Sequence, residues 1–325
     1  MKSAIRLAAA VSTVALVTAA CASGGTAKPS TSQPVSPRSS ATITEPSPVA
    51  SVPQLVVLAH GAAGSTSLWS LDTSGRWVAL GATPNATALG RTPDGIAVVT
   101  AHEVDFRPIS DLTHGGRLTT LKWSAAAPAA PVVSLDSSPA GRLAIATADE
   151  HSLGYGLVDT DGNVVAMAPA PTQSFTPLVA WLDETRLLAL STDNQQVSRL
   201  AVVNVATHSV ETSTAVIGIT VFGVSSDGRS VAVATESTVY EGPVASLLSG
   251  TQPQQIVTLA DSQIVWALSM DAAGTKVFML SGTEAADGTV SSFHELGYAR
   301  QGTSWVKIFD VAAPFETAIS QVCLT

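Results

Sequence analysis

The chain has little cysteine and little positive charge. Cys21 and Cys323 are its only cysteines in 325 residues, and Lys and Arg together number 16 against 25 Asp and Glu. A disulfide framework is therefore excluded, and stability must come from packing. The formal net charge of −9 argues against binding to nucleic acid or adhesion to anionic lipid, because both are polyanions.

Long apolar runs and catalytic motifs are also lacking. The chain has no apolar run of about 20 residues, the length that a membrane-spanning helix needs. It has no Gly-x-Ser-x-Gly elbow, no His-Glu-x-x-His and no glycine-rich phosphate loop. These absences favour a binding protein over an enzyme.

The N-terminus has the features of an export signal. Lys2 and Arg6 flank the start of a short apolar run, Leu7 to Val17, and small residues then lead to Cys21. This resembles the bacterial lipoprotein signal, in which the cysteine is lipid-modified and becomes the new N-terminus. The resemblance implies a signal peptide over 1–20, a lipid anchor at Cys21 and a location on the outer side of the cell membrane. The alternative is ordinary secretion, with Cys21 incidental.

Residues 21–53 form a predicted disordered linker. Of the 32 residues from 22 to 53, 18 are Ser, Thr or Pro, and none is aromatic. Such a segment buries too little apolar surface to offset its ordering entropy, and as a coil it spans about 30 Å. It would hold a domain over 54–325 clear of the membrane. The composition, with few Lys and abundant Ala, Val and Thr, resembles that of proteins from high-GC Gram-positive bacteria.

A strand–turn–strand pattern recurs through the domain. Its clearest copy is Val221–Thr235, in which two apolar runs flank Ser226-Asp227-Gly228-Arg229. The last turn residues of the copies recur at intervals of 43 to 46 and are Gly95, Gly141, Thr185, Gly228 and Gly274. The flanking runs are continuously apolar, which is typical of strands buried on both faces.

A second register of more polar turns lies about twenty residues after the first and has six members. Four short antiparallel strands every 43–46 residues predict a β-propeller. Residues 55–83 supply only three strands of a blade. We therefore predict an all-β, six-bladed propeller, in which the lone C-terminal strand Ala318–Cys323 pairs innermost with Leu55–Ala59 and closes the ring.

The turn motif resembles a known propeller family. Ser225-Ser226-Asp227-Gly228-Arg229-Ser230-Val231-Ala232 is similar to the Ser-Pro-Asp-Gly-x-x-Ile-Ala repeat of TolB-type bacterial propellers. The resemblance implies the architecture. It does not carry over the partner binding of that family, because the Trp-Ser-Pro run before the turn is intact in no blade.

Every blade places a charged or His residue in the connection between its second and third strands. These predicted rim residues are His60, His102, Glu103, Asp149, Glu150, Asp193, Asn194 and Glu236, with His151, Glu284 and Asp287 beside them. One interpretation is that they are polar only because loops meet water. Another is that they ligate a divalent metal, as in gluconolactonase-like six-bladed propellers. No other cofactor is indicated.

Two functions remain open. The first is a non-enzymatic, lipid-anchored envelope protein that binds a protein, peptide or glycan partner. The second is a metal-dependent hydrolase or lactonase at the channel rim. Two further residues are assigned structural roles: His294, on a predicted third strand, and Cys323, as a small buried hydrophobe.

Overall fold

The computed structural model describes residues 55–60, 65–112, 119–123, 130–148, 153–166, 178–192 and 197–324. The predicted signal peptide (1–20) and linker (21–53) lie outside these ranges. Within them the chain forms 24 strands and one short helix, and the strands make six antiparallel sheets of four. No helix in the described part is long and apolar enough to span a membrane.

The first three blades take up the N-terminal half. Blade 1 contributes β1 (Leu55–His60), β2 (Thr66–Leu71) and β3 (Trp77–Ala82). Blade 2 contains β4 (Ala86–Thr92), β5 (Gly95–Thr100), β6 (Glu103–Pro108) and β7 (Thr119–Lys122). Blade 3 contains β8 (Val132–Ser137), β9 (Leu143–Ala148), β10 (Leu153–Val158) and β11 (Val164–Ala166).

The last three blades follow in the same order. Blade 4 contains β12 (Leu178–Asp183), β13 (Arg186–Thr192), β14 (Val197–Asn204) and β15 (Ser209–Ile217). Blade 5 contains β16 (Ile219–Val224), β17 (Ser230–Thr235), β18 (Thr238–Pro243), the helix α1 (Val244–Leu248) and β19 (Gln254–Thr258). Blade 6 contains β20 (Gln263–Met270), β21 (Lys276–Glu284), β22 (Val290–Gln301) and β23 (Ser304–Ala312). The chain ends with β24 (Thr317–Cys323).

The C-terminal strand completes the first blade, as predicted. The order of this sheet is β24-β1-β2-β3, with β24 antiparallel to β1. Leu55 pairs with Cys323 and Ala59 with Ala318. The strands β24, β4, β8, β12, β16 and β20 contact one another in sequence around a closed ring, so they are the innermost strands. The prediction of six blades closed by the C-terminus is confirmed.

The recurring hairpin shows why the sequence folds in this way. In the turn between β16 and β17, Gly228 N–H donates to the Ser225 carbonyl at 2.9 Å, and Gly228 has φ +67°. The Asp227 carboxylate accepts a hydrogen bond from Arg229 N–H at 3.0 Å. Gly228 also lies against the neighbouring blade, since a Cβ there would be 1.7 Å from the Leu182 carbonyl oxygen. Asp and Gly therefore fix both the turn and its contact.

The hydrophobic core lies in the seams between blades. Strands such as β17 are buried on both faces because a neighbouring blade covers each side. The seam between blades 6 and 1 is aromatic. Phe315 packs edge-to-face on Trp77, with ring centroids 5.3 Å apart, and Phe293 packs on Trp266 at 5.8 Å. These contacts hold the closing strand in place.

One polar group is buried in the same seam. Glu295 is 0% exposed, and burial raises the pKa of its carboxyl well above the usual value, although a hydrogen bond from Gln321 opposes this. Gln321 Nε2 donates to Glu295 Oε1 and to Ser269 Oγ, each at 3.1 Å. Glu295 Oε2 and Gln321 Oε1 are buried, and neither has a hydrogen-bond partner among the residues that the structure describes. The carboxyl is therefore neutral over a wide range of pH.

Candidate functional site

The six innermost strands enclose a narrow central channel with a volume of about 170 Å³. Its walls are mainly apolar, with Arg91, Asp136, Gln321 and three serines among the lining residues. Two glycines allow the inner strands to approach closely. A Cβ at Gly90 would lie 2.6 Å from the Leu135 carbonyl oxygen, and one at Gly223 would lie 2.8 Å from Ser269 Cα. The channel therefore has room for a few ordered waters but not for a sizeable substrate.

The polar groups on the channel wall join neighbouring blades. Asp136 Oδ2 accepts a hydrogen bond from Trp181 N–H at 2.8 Å, and Ser320 Oγ accepts one from Leu89 N–H at 3.0 Å. Burial raises the pKa of the Asp136 carboxyl, and the positive charge of Arg91 partly offsets this. These side chains therefore form hydrogen bonds between neighbouring blades and stabilise the ring.

Arg91 crosses the lower mouth of the channel. The lower face is defined here as the end that carries the connections from first to second strands and from third to fourth strands. The Arg91 guanidinium on blade 2 donates to Ser226 Oγ, in a lower-face turn of blade 5 on the opposite side of the ring. This bond holds the Arg91 side chain across the lower mouth of the channel.

Carboxylates on the lower face are bound into their own turns. Asp72 Oδ1 accepts from the backbone N–H groups of Ser74 and Arg76, each at 2.9 Å. Burial acts to raise the pKa of Asp183, but hydrogen bonds from Thr185 and Arg186 outweigh it and bring the pKa to about 2. Asp227 and Asp271 make equivalent bonds in blades 5 and 6.

Turns on the lower face also form hydrogen bonds to turns of the neighbouring blade. In blade 4, Glu184 accepts hydrogen bonds from Ser138 Oγ at 2.8 Å and from Ala140 N–H at 2.7 Å, both in blade 3. Arg142 Nη1 returns a bond to the Glu184 carbonyl at 3.1 Å. The turns of blades 3 and 4 therefore satisfy these donors and acceptors within the protein.

The predicted rim residues that the structure describes lie on the upper face, as expected. His102 and Glu236 are exposed, and neither side chain makes a hydrogen bond or an ion pair within the described residues. His60 ends β1 and is half-buried, and its Nδ1 has no hydrogen-bond partner within the described ranges. Glu103 is half-buried at the start of β6, opposite Lys122. None of these four lines the central channel.

The remaining rim predictions divide in two. Asp149, Glu150, Asp193 and Asn194 lie outside the described residues, as does His151. Glu284 is exposed on the upper face, whereas Asp287 is bound into its own turn by Thr289, whose N–H donates at 2.9 Å. Over the part of the chain that the structure covers, no group of three or more His, Cys, Asp or Glu side chains is placed to hold a metal ion.

Several polar residues that the sequence analysis did not select are brought together by the fold. Arg91 and Asp136 meet at the channel because the ring closes. His294, interpreted as structural, lies beside Asp310 and Lys307 at a cleft between blades 5 and 6. Beyond the polar character of these residues themselves, nothing in the sequence indicated that they meet.

Comparison with known proteins supports the fold and nothing finer. No protein-family model matches the chain, and no curated protein matches it in sequence. TolB from Acinetobacter baumannii superposes with a TM-score of 0.58 at 13% identity, over 83% of this chain and 66% of that one. A putative TolB from Agrobacterium tumefaciens gives 0.55 at 14% identity, over 82% and 91%. The Cps50 (Swd1) propeller domain of Myceliophteria thermophila gives 0.53 at 18% identity, over 86% and 92%. The chain thus has a TolB-like six-bladed propeller fold.

Proposed function

We propose that this protein is a non-enzymatic binding or scaffold module of the cell envelope, which presents its upper face to a protein, peptide or glycan partner. In this proposal a lipid on Cys21 anchors it to the outer side of the membrane, and the linker over 21–53 spaces the propeller from the lipid. The proposal includes no nucleic acid partner.

One observation carries the proposal: two exposed polar side chains of the upper rim make no hydrogen bond within the described residues, whereas several lower-face carboxylates do. On the lower face, carboxylates such as Asp72 and Glu184 accept hydrogen bonds from their own or neighbouring turns. On the upper face, His102 and Glu236 make no hydrogen bond or ion pair within the described residues. A side chain without a partner is available to a ligand at no cost in broken contacts.

Site-specific cross-linking tests the choice of face. A photo-reactive residue placed at 102 or 236 in host cells is expected to give a discrete cross-linked product that an excess of unlabelled protein suppresses. The same residue at Arg229 is the matched control, since this side chain is 87% exposed on the lower face. Equal cross-linking at all three positions, or a product at position 229 alone, would refute the proposal.

Metabolic labelling with a fatty-acid analogue tests the anchor. Cys21→Ser is expected to abolish labelling and to release the protein from the membrane fraction. Cys323→Ala is the control, because it removes the other cysteine, which is buried on the closing strand. Labelling that survives Cys21→Ser would favour ordinary secretion.

A metal-dependent hydrolase or lactonase at the rim is the alternative. Its support is the presence of a carboxylate or imidazole on the second-to-third connection of each blade. Metal analysis of the purified protein separates the two functions. Stoichiometric Ca²⁺ or Zn²⁺ that is lost in Asp149→Ala or Asp193→Ala would favour the hydrolase.

A further inference from the structure

A second cavity lies away from the channel and the upper rim. It is a cleft of about 280 Å³ between the outer part of blade 5 and the facing side of blade 6. At about 30 Å³ per water, this is room for roughly nine waters. Blade 6 supplies His294, Leu296, Tyr298, Lys307 and Asp310, and Ser281 lines it too. Blade 5 supplies the turn from Val257 to Ala260, and Gln263 closes one side.

Asp310 organises the polar wall of this cleft. Its Oδ1 lies 2.9 Å from His294 Nδ1, and its Oδ2 accepts a hydrogen bond from Lys307 Nζ at 3.0 Å. Burial acts to raise the pKa of the Asp310 carboxyl, but hydrogen bonds from His294 and Lys307 outweigh it and lower the pKa. The ionised carboxylate can only accept, so His294 Nδ1 donates to it. In the neutral imidazole, His294 Nε2 is then an acceptor, and it makes no hydrogen bond within the described residues.

Donors lie beside that acceptor. Lys307 uses one N–H on Asp310 and has two left. Tyr298 is 8% exposed, its hydroxyl makes no hydrogen bond within the described residues, and burial raises its pKa, so the hydroxyl keeps its proton. The side-chain amide of Gln263 likewise makes no hydrogen bond within the described residues, and it offers both a donor and an acceptor.

We propose that this cleft binds a single hydroxyl-rich unit, such as one monosaccharide residue. The ligand must donate to His294 Nε2 and accept from Lys307 and Tyr298, and a pair of neighbouring hydroxyls does both. A free carboxylate offers no donor to His294 Nε2, and both a carboxylate and a phosphate would meet the negative charge of Asp310. A cation would be repelled by Lys307. Val257, Leu259 and Leu296 also line the cleft, but its exposed wall is mainly polar, so hydrogen bonds would supply most of the recognition.

Titration of the full-length protein with single sugars tests this inference. The probes are glucose, mannose and N-acetylglucosamine, with inorganic phosphate as the anionic probe. Binding is measured by isothermal titration calorimetry or by ligand-observed NMR. At least one sugar is expected to bind saturably, and phosphate is expected not to bind. Tyr298→Phe removes one hydroxyl without changing the volume, and it should weaken binding about fivefold, the factor that corresponds to one neutral hydrogen bond.

Matched variants keep the test specific. Tyr240→Phe makes the same chemical change on β18, outside the cleft, and should leave sugar affinity unchanged. His102→Ala on the upper rim should also leave it unchanged, so failure of this inference and failure of the proposed rim function are distinguishable. The inference is overturned if no sugar binds at tens of millimolar, if phosphate binds instead, or if Tyr298→Phe and Tyr240→Phe have equal affinity while both unfold like the parent.

Discussion

Glu295→Gln is expected to stabilise the propeller at neutral pH. The carboxyl is 0% exposed between blade 6 and the closing strand, and burial raises its pKa well above the usual value. Gln has the same shape and carries no charge at any pH. The substitution therefore removes the cost of keeping this buried group protonated at neutral pH.

The size of the effect depends on pH in a defined direction. Because the pKa of Glu295 is higher in the folded state than its ordinary value of 4.5, the contribution to stability is fully present below about pH 4.5. It is lost as pH rises from there through the folded-state pKa, at no more than about 1.4 kcal/mol per pH unit. The Glu295→Gln variant has no such loss, so the gain over the parent grows with pH and then levels off.

Urea unfolding at several pH values between 4 and 8, followed by tryptophan fluorescence, measures this difference. Asp136 also has a raised pKa, but it is present in both proteins and cancels in the subtraction. Glu316→Gln is the control, since Glu316 is an exposed acid next to the closing strand. Parallel stability curves for the parent and Glu295→Gln would refute the reasoning, as would a slope that Glu316→Gln removes equally well.

Three further perturbations follow from named contacts. Phe315→Ala should cost about 3–5 kcal/mol in urea unfolding, because the ring is 5% exposed and packs on the indoles of the closing seam. Gly228→Ala should cost more than Gly250→Ala. Both have φ near +70°, worth about 1–2 kcal/mol for a side chain, but only Gly228 would also place its Cβ 1.7 Å from the Leu182 carbonyl oxygen. Asp183→Asn should reduce the loss of stability at acid pH. The pKa of Asp183 is lowered from 3.8 to about 2 in the folded state, so its carboxylate contributes stability above pH 3.8 that is lost as the pH falls towards 2. Equal losses of unfolding free energy at acid pH in parent and variant would contradict this.

The architecture could be predicted because it depends on local signals repeated at a fixed period. Turn residues such as Asp227 and Gly228 are needed for the hairpin itself, and the spacing counts the blades. The closing strand was predictable by elimination, since residues 55–83 lack one strand and the C-terminus has one without a hairpin partner. The observed pairing of Leu55 with Cys323 agrees with that deduction.

The polar groups inside the fold could not be predicted, because they meet through ring closure and register. Arg91 reaches Ser226 only when blades 2 and 5 face each other across the channel. On blade 6, a bulge between Gly297 and Tyr298 shifts the register so that Tyr298 pairs with Lys307. A strict alternation of faces gives no hint of that shift. The helix α1 was likewise not predicted, because the second register of turns indicates only a hairpin between β18 and β19.

The unequal use of polar groups on the two faces bears on where a partner can bind. A hydrogen bond to a partner adds affinity only if it does not replace one that the protein already makes. On the lower face, contact with Glu184 would compete with Ser138 and Ala140, and contact with Arg91 would compete with Ser226. On the upper face, His102 and Glu236 exchange only water for a partner. A hydrogen bond from a partner to His102 or Glu236 therefore adds more binding free energy than the same bond to Glu184 or Arg91 would.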